Sequence, residues 1–299
     1  MPRSIVDSHV HVWSDGAVYP GPDHADKSAP QHDATVQTYL AAMRKAGITS
    51  AVLVQYIGYR WDNDYVARAI ADQPGTFAGV CRVDPLNPDA PDHLSFWTQE
   101  SGFQGVRISQ QPDQSDDWLT TPLIQRLFTR TAQLKVPMLV LTRPARLADL
   151  IRLLDRNPDV DVVIDHLADC DAANPDHMAL LAALAQNPRV YLKAGHLWVR
   201  SVTGYPWRDQ HALLKIACDL FGPSRLMWGS DWSFCLGHAS YAQTISYLEQ
   251  GADFLSSSDL DWIMGGTAKR LWSFEATAKA TPRPGQPTLA AAPTTAKGA

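Results

Sequence analysis

Several features common in proteins are scarce or absent in this chain of 299 residues. Its four cysteines, Cys81, Cys170, Cys218 and Cys235, form no Cys-x-x-Cys pair, which argues against a thiol-based zinc site or dithiol redox centre and leaves reduced, structural thiols. No apolar run reaches the roughly 18 residues of a membrane span, and no basic segment followed by an apolar stretch opens the chain. We therefore expect a cytoplasmic protein without a membrane partner. Positive charge is not in excess: 26 Lys and Arg against 31 Asp and Glu give a formal net charge of -5, so there is no electrostatic footprint for nucleic acid. A small molecule is the expected partner, and oligomeric state is not legible. No Gly-x-Gly-x-x-Gly follows the first apolar run, which argues against a dinucleotide-binding fold.

What is present is the composition of an ordinary globular protein, 45% hydrophobic and 19% charged, enough for a sizeable core. Short β-branched runs alternate with stretches of helical apolar spacing, the pattern of βα units on a parallel sheet. The candidate strands are Ile5 to Val12, Ala51 to Gln55, Phe77 to Val83, Gly105 to Ile108, Met138 to Leu141, Val160 to Asp165, Val190 to Lys193 and Arg225 to Trp228. Val36, Tyr39, Leu40 and Met43 make one helical stripe stopped by Gly47, and Leu147, Leu150, Ile151 and Leu154 make another. Thr121-Pro122 reads as an N-cap with proline in the first turn. Eight such units predict an α/β fold, a (β/α)8 TIM barrel in one domain over residues 1–275, with an open doubly wound sheet as the competing arrangement. Residues 276–299, rich in Ala, Thr and Pro, are expected to be a disordered C-terminal tail, and the Pro- and Gly-bearing stretch from Ser14 to Asp33 is either a cover over the site or a flexible connection.

The first strand carries Asp7, His9 and His11 at period two, which predicts all three on one face. Two such imidazoles can bind one divalent ion or polarise a carbonyl. In a barrel the chemistry gathers at the carboxyl ends of the strands, and those ends are polar here. They carry Gln55, Arg82, Asp84, Arg107, Arg143, Asp165, His166, Lys193, His196 and Asp231, and the competing reading is a set of ion pairs closing the barrel mouth. For Arg82 the alternative to function is a pair with Asp84. Trp61, Trp198, Tyr205, Trp207 and Trp232 either stack on a ring or pack loops, whereas His24, His32, His93, His177, His211 and His238 read as surface or packing residues.

Asp7-Ser-His-Val-His11, Gly79-Val-Cys-Arg-Val-Asp-Pro85, Gly105-Val-Arg107, Val163-Ile-Asp-His166 and Leu226-Met-Trp-Gly-Ser-Asp231-Trp together resemble the amidohydrolase superfamily. More narrowly, the chain is similar to the amidohydrolase-related branch that contains sugar-acid lactonases and 2-pyrone-4,6-dicarboxylate lactonase. The resemblance implies that Asp231 is the catalytic acid/base and that His9, His11 and His166 surround the reacting carbonyl or a metal. It also implies a ligand set of His9, His11, Asp231 and His166 for one zinc or manganese ion, with a metal-independent mechanism as the alternative. Arg107 stands where two-metal members carry a carboxylated lysine, and Thr142-Arg143 where members with one firmly held metal carry a histidine. Arg107, Lys193, Arg143, Gln55 and His196 are the expected substrate-binding residues, suited to an acidic or polyhydroxylated lactone. The expected activity is lactone hydrolysis. Metal-dependent non-oxidative decarboxylation is the alternative, and a non-catalytic small-molecule binder the remaining one.

Overall fold

The computed structural model describes residues 3–16, 33–110 and 115–275, so the expectations for the tail and for most of the Ser14–Asp33 stretch lie outside the described residues. The strands are β1 Val6–Val10, β2 Ser50–Val54, β3 Phe77–Arg82, β4 Phe103–Ser109, β5 Met138–Leu141, β6 Val162–Ile164, β7 Val190–Lys193 and β8 Leu226–Met227. They lie in chain order in one parallel sheet. The segment after β8 returns to β1, with Ser8 donating its amide to the Trp228 carbonyl at 3.2 Å and His11 donating to that of Trp232 at 2.6 Å. That contact rolls the sheet into the expected barrel. The outer layer includes α1 Val36–Lys45, α2 Asp64–Asp72, α3 Ala90–Glu100, α4 Pro122–Leu134, α5 Leu147–Asp155, α6 Pro175–Ala185, a short α7 Leu197–Arg200, α8 His211–Phe221 and α9 Tyr241–Ser246. Among the described residues no helix is long and apolar enough to cross a membrane.

Local chemistry explains the helix ends. Thr121 caps α4, its hydroxyl oxygen accepting from the Ile124 amide at 3.3 Å, and Gly47 takes a φ of 72° just beyond α1, where an L side chain would be strained. The core has two parts. Inside the barrel, Val6, Val52, Val54, Val80, Leu139, Val163 and Met227 pack with Trp272, while a larger apolar layer including Ala51, Leu53, Cys81, Val106 and Val140 faces the helices.

The alternation in β1 breaks. The pairing with β2 slips between Asp7 and Val10, and both are matched to residues of the outer layer, Asp7 to Ala51 and Val10 to Leu53. Three positions apart on one face is one residue more than a regular strand allows, so the strand bulges there. His9 and His11 turn into the barrel, but Asp7 does not share their face. Its carboxylate lies instead among Tyr39, Tyr241 and Ser230. β8 is also shorter than expected. Trp228 donates its amide to the Ile263 carbonyl at 2.7 Å, while the Arg225 amide donates to the Gly222 carbonyl at 3.0 Å in the turn before the strand, so both amides leave the ladder.

Two glycines set the spacing where β7, β8 and β1 converge. A Cβ on Gly195 would lie 2.3 Å from the Gly229 carbonyl oxygen, and one on Gly229 would lie 2.7 Å from the His9 Cβ. Any side chain there would wedge apart the strands that bear Lys193, His9 and Asp231.

Candidate active site

His9 and His11 meet with their Nε2 atoms 3.1 Å apart, and His11 Nδ1 lies 2.8 Å from the Val54 carbonyl oxygen. A carbonyl only accepts, so the His11 proton sits on Nδ1 and its Nε2 presents a lone pair. The Lys193 Nζ, at the end of β7, lies 2.7 Å from His9 Nδ1. If the ammonium donates there, the His9 proton is on Nε2 and points at His11, giving a chain of donors from Lys193 through His9 and His11 to Val54. Asp165, directly after β6, accepts from Arg107 Nε at 2.8 Å through Oδ2, while its Oδ1 lies 3.4 Å from both Lys193 Nζ and His9 Nδ1.

Asp231 follows β8 in a left-handed conformation, φ 54°, and is held from several sides. Its own amide donates to the His9 carbonyl at 2.9 Å, and the Trp232 amide donates to Ser230 Oγ at 2.9 Å. Ser230 in turn donates its amide and its hydroxyl to the Asp7 carboxylate at 2.8 and 2.6 Å, where the Tyr241 hydroxyl also donates at 2.8 Å. Asp7 thus serves the site through the backbone of its neighbour. These bonds sustain a backbone state that costs of order 1–3 kcal/mol for a residue other than glycine. The Asp231 side chain lies between the imidazoles, with Oδ1 3.5 Å from His11 Nε2 and 3.7 Å from His9 Nε2, and Oδ2 3.7 Å from His196 Nε2. His166 opens a left-handed turn, and its ring centroid lies 4.9 Å from that of His9 and 4.3 Å from that of His196.

Burial sets the protonation states. It pushes His9 down to about 4, helped by the Lys193 ammonium, and lowers His196 to about 4 against the pull of Asp169. His11 and His166 are also driven well below the ordinary range by burial, each with a neighbouring imidazole adding to it. Burial lowers Lys193 to about 8, with Asp165 resisting, and raises Asp231 against the opposing His9 and Arg107. Asp165 is desolvated too, but Lys193 and Arg107 overcome that and hold it well below the usual carboxylate range. At neutral pH the site has neutral imidazoles flanked by charged groups.

The structure brings together His9, His11, His166, Arg107, Lys193, His196 and Asp231. Two candidates sit apart. Arg143 is on the rim, half-exposed, and pairs with Asp116 at 2.8 Å, while the Gln55 amide nitrogen donates to the Asp62 carbonyl at 2.6 Å and ties down the loop after β2. Of the aromatic candidates, Trp207 packs between Trp198 and Tyr247, and Trp232 against Tyr39, so both are loop-packing residues. His93 and His238 are exposed and His177 and His211 half-buried, as expected, while His24 and His32 lie outside the described residues. Sequence reasoning counted Asp165 among the polar strand ends but gave it no catalytic or binding role, and the structure makes it the ion-pair partner of Arg107 and Lys193. It also missed Phe234 and Tyr56, whose rings lie 5.6 and 6.2 Å from that of His11.

The donor set fits one divalent ion. His9, His11 and Asp231 each offer a ligand atom, all within 4.8 Å of one another, and His166, His196 and Asp231 make a second such group. A ligating His9 would carry its proton on Nδ1, and Asp165 Oδ1, a buried oxygen with no hydrogen-bond partner, stands 3.4 Å away to receive it. The ion-bound and ion-free arrangements therefore differ in where one imidazole proton sits.

The sequence profile of the amidohydrolase family matches residues 6–274. An L-fucono-1,5-lactonase from Burkholderia ambifaria is 28% identical over 275 residues, covering 88% of this chain and 93% of that protein. A 4-sulfomuconolactone hydrolase from Rhizobium radiobacter is 27% identical over 244 residues, covering 78% of this chain and 76% of that protein. Among solved structures, an amidohydrolase from Burkholderia multivorans with bound zinc superposes with a TM-score of 0.74 at 26% identity, covering 90% of this chain and 98% of that one.

Proposed function

Because the chain belongs to the amidohydrolase family, we propose that it is a hydrolase that opens a carboxylated or sugar-acid lactone, with Asp231 activating the attacking water. The observation that carries this reading is the position of Asp231, a buried carboxylate held between His9, His11 and His196 at 3.5 to 3.7 Å. Two relatives named as lactone hydrolases support the choice of bond.

Ionised Asp231 takes a proton from water as the water adds to the lactone carbonyl. The His9 Nε2 proton, reinforced from behind by the Lys193 ammonium, is the donor for the developing oxyanion. His11 does not donate to the oxyanion in this reading. Its bond to Val54 leaves Nε2 an acceptor, which holds the His9 Nε2 proton, 3.1 Å away, in place until the oxyanion draws it. When the tetrahedral adduct collapses, the ring carbon–oxygen bond breaks and Asp231 returns its proton to the departing alkoxide. One divalent ion held by His9, His11 and Asp231 would supply a Lewis acid for the same carbonyl oxygen.

The test pairs elemental analysis of the purified protein with hydrolysis of carboxylated and sugar-acid lactones before and after chelation. About one equivalent of zinc or manganese, with turnover lost on chelation, assigns the histidines as ligands. Turnover that survives chelation in metal-free protein assigns them as hydrogen-bonding groups. Failure to open any lactone of either class would overturn the proposal.

The pH profile of kcat/KM should be bell-shaped. Lys193 supports His9 only as the ammonium, so activity should fall as pH rises through about 8. On the acid side Asp231 must be ionised, and its raised pKa should place that limb above the ordinary carboxylate value of 3.8.

A further inference from the structure

Arg82 ends β3 on the inner wall, in register with Arg107 of β4. The alternative for Arg82, a pair with Asp84, does not form; the Asp84 carboxylate accepts instead from the Leu86 amide at 3.0 Å. Arg82 is fully buried, and although Nη2 donates to Ser109 Oγ at 3.0 Å, Nε and Nη1 have no hydrogen-bond partner. Trp61, from the loop after β2, lies over the guanidinium with its ring centre 5.3 Å from Cζ. A ring face attracts a cation but does not neutralise it. The carboxylate within electrostatic reach, Asp165, already serves Arg107 at 2.8 Å and Lys193 at 3.4 Å.

Charge on the buried inner wall therefore does not balance. Arg82, Arg107 and Lys193 face Asp165 and Asp231, three cations against two carboxylates. A buried cation without a partner is strongly destabilising, and a binding site is where a fold keeps such a group for a ligand to satisfy. We propose that Arg82, beside Arg107, forms an anion subsite that takes a carboxylate of the substrate. In an eight-stranded barrel β3 and β4 lie across from β7 and β8, so the acid group is held on the far side of the mouth from Asp231. This rests on the lactone-hydrolase reading and narrows it to an acidic lactone over an uncharged polyhydroxylated one.

The test compares two lactones of the same ring, one bearing a carboxylate and the other its primary amide, with melting curves in benzoate and in benzamide. Wild type should favour the carboxylate in kcat/KM and gain thermal stability from benzoate alone. Arg82→Gln should lower the carboxylate-to-amide ratio about 10- to 100-fold through KM, the size of one charged hydrogen bond. It should also abolish the benzoate shift while melting no lower than wild type without ligand. Arg82→Lys, which keeps the charge, should retain more of the ratio than Arg82→Gln. A wild-type ratio near one, or an Arg82→Gln variant that melts lower with its ratio intact, would overturn the subsite and leave lactone hydrolysis standing. No hydrolysis of either lactone, with a benzoate shift that depends on Arg82, would instead sink the lactone reading and keep the subsite.

Discussion

Asp231→Asn should lower kcat/KM on the best lactone by at least about 10²- to 10⁴-fold, the usual worth of a positioned general base. The substitution keeps shape and volume and removes only the ability to take a proton. The folded state should tolerate it, because burial already disfavours the charged form of Asp231, and an amide ends that penalty. Melting temperature is accordingly expected to hold or rise while turnover collapses. The same loss is expected with or without a bound ion, because the aspartate moves the proton in both cases. If the asparagine variant kept its rate, the water would have to be activated elsewhere, with His196 the first place to look because its Nε2 faces Asp231 Oδ2 at 3.7 Å.

Strand ends carried most of the legible information. Lys193, Arg107, His166 and Asp231 each stop an apolar run with charge or an imidazole, and in a barrel every such stop falls at the same mouth. The pattern breaks down where backbone geometry departs from its regular period. Asp7 shares a period-two frame with His9 and His11 in the sequence, yet the slip in pairing with β2 sends it to the outer layer to hold Ser230. One extra residue in one strand leaves no compositional mark. Partnerships were hidden for another reason. Asp165 and Arg107 are 58 positions apart, and nothing local says that one carboxylate answers to both Arg107 and Lys193, whereas Asp84, close to Arg82 in the chain, takes no part. The left-handed turn at His166–Asp169 is equally silent, since no glycine announces it.

Those partnerships carry the second large effect. Asp165→Ala removes the carboxylate that accepts from Arg107 at 2.8 Å and lies 3.4 Å from Lys193, leaving three buried cations on the inner wall with Asp231. Stranding a buried charge in this way costs about 3–5 kcal/mol, a large share of the roughly 5–15 kcal/mol that a domain has. The expected result is a lower urea midpoint with an unchanged slope. Deleting both partners should hurt less than the sum, because Asp165→Ala with Arg107→Met leaves one fewer stranded charge, so the double-mutant cycle should show favourable coupling. A cost below about 1 kcal/mol for Asp165→Ala, in the range of an exposed ion pair, would mean that water or a rearranged neighbour already serves the two cations. The kinetics supply an independent check with a fixed sign. Asp165 holds the Lys193 pKa up against burial, so without it the ammonium loses its proton more readily, and the alkaline limb near pH 8 should move to lower pH. A limb that stayed in place would detach Lys193 from Asp165 and leave the charge on the inner wall to be balanced in some other way.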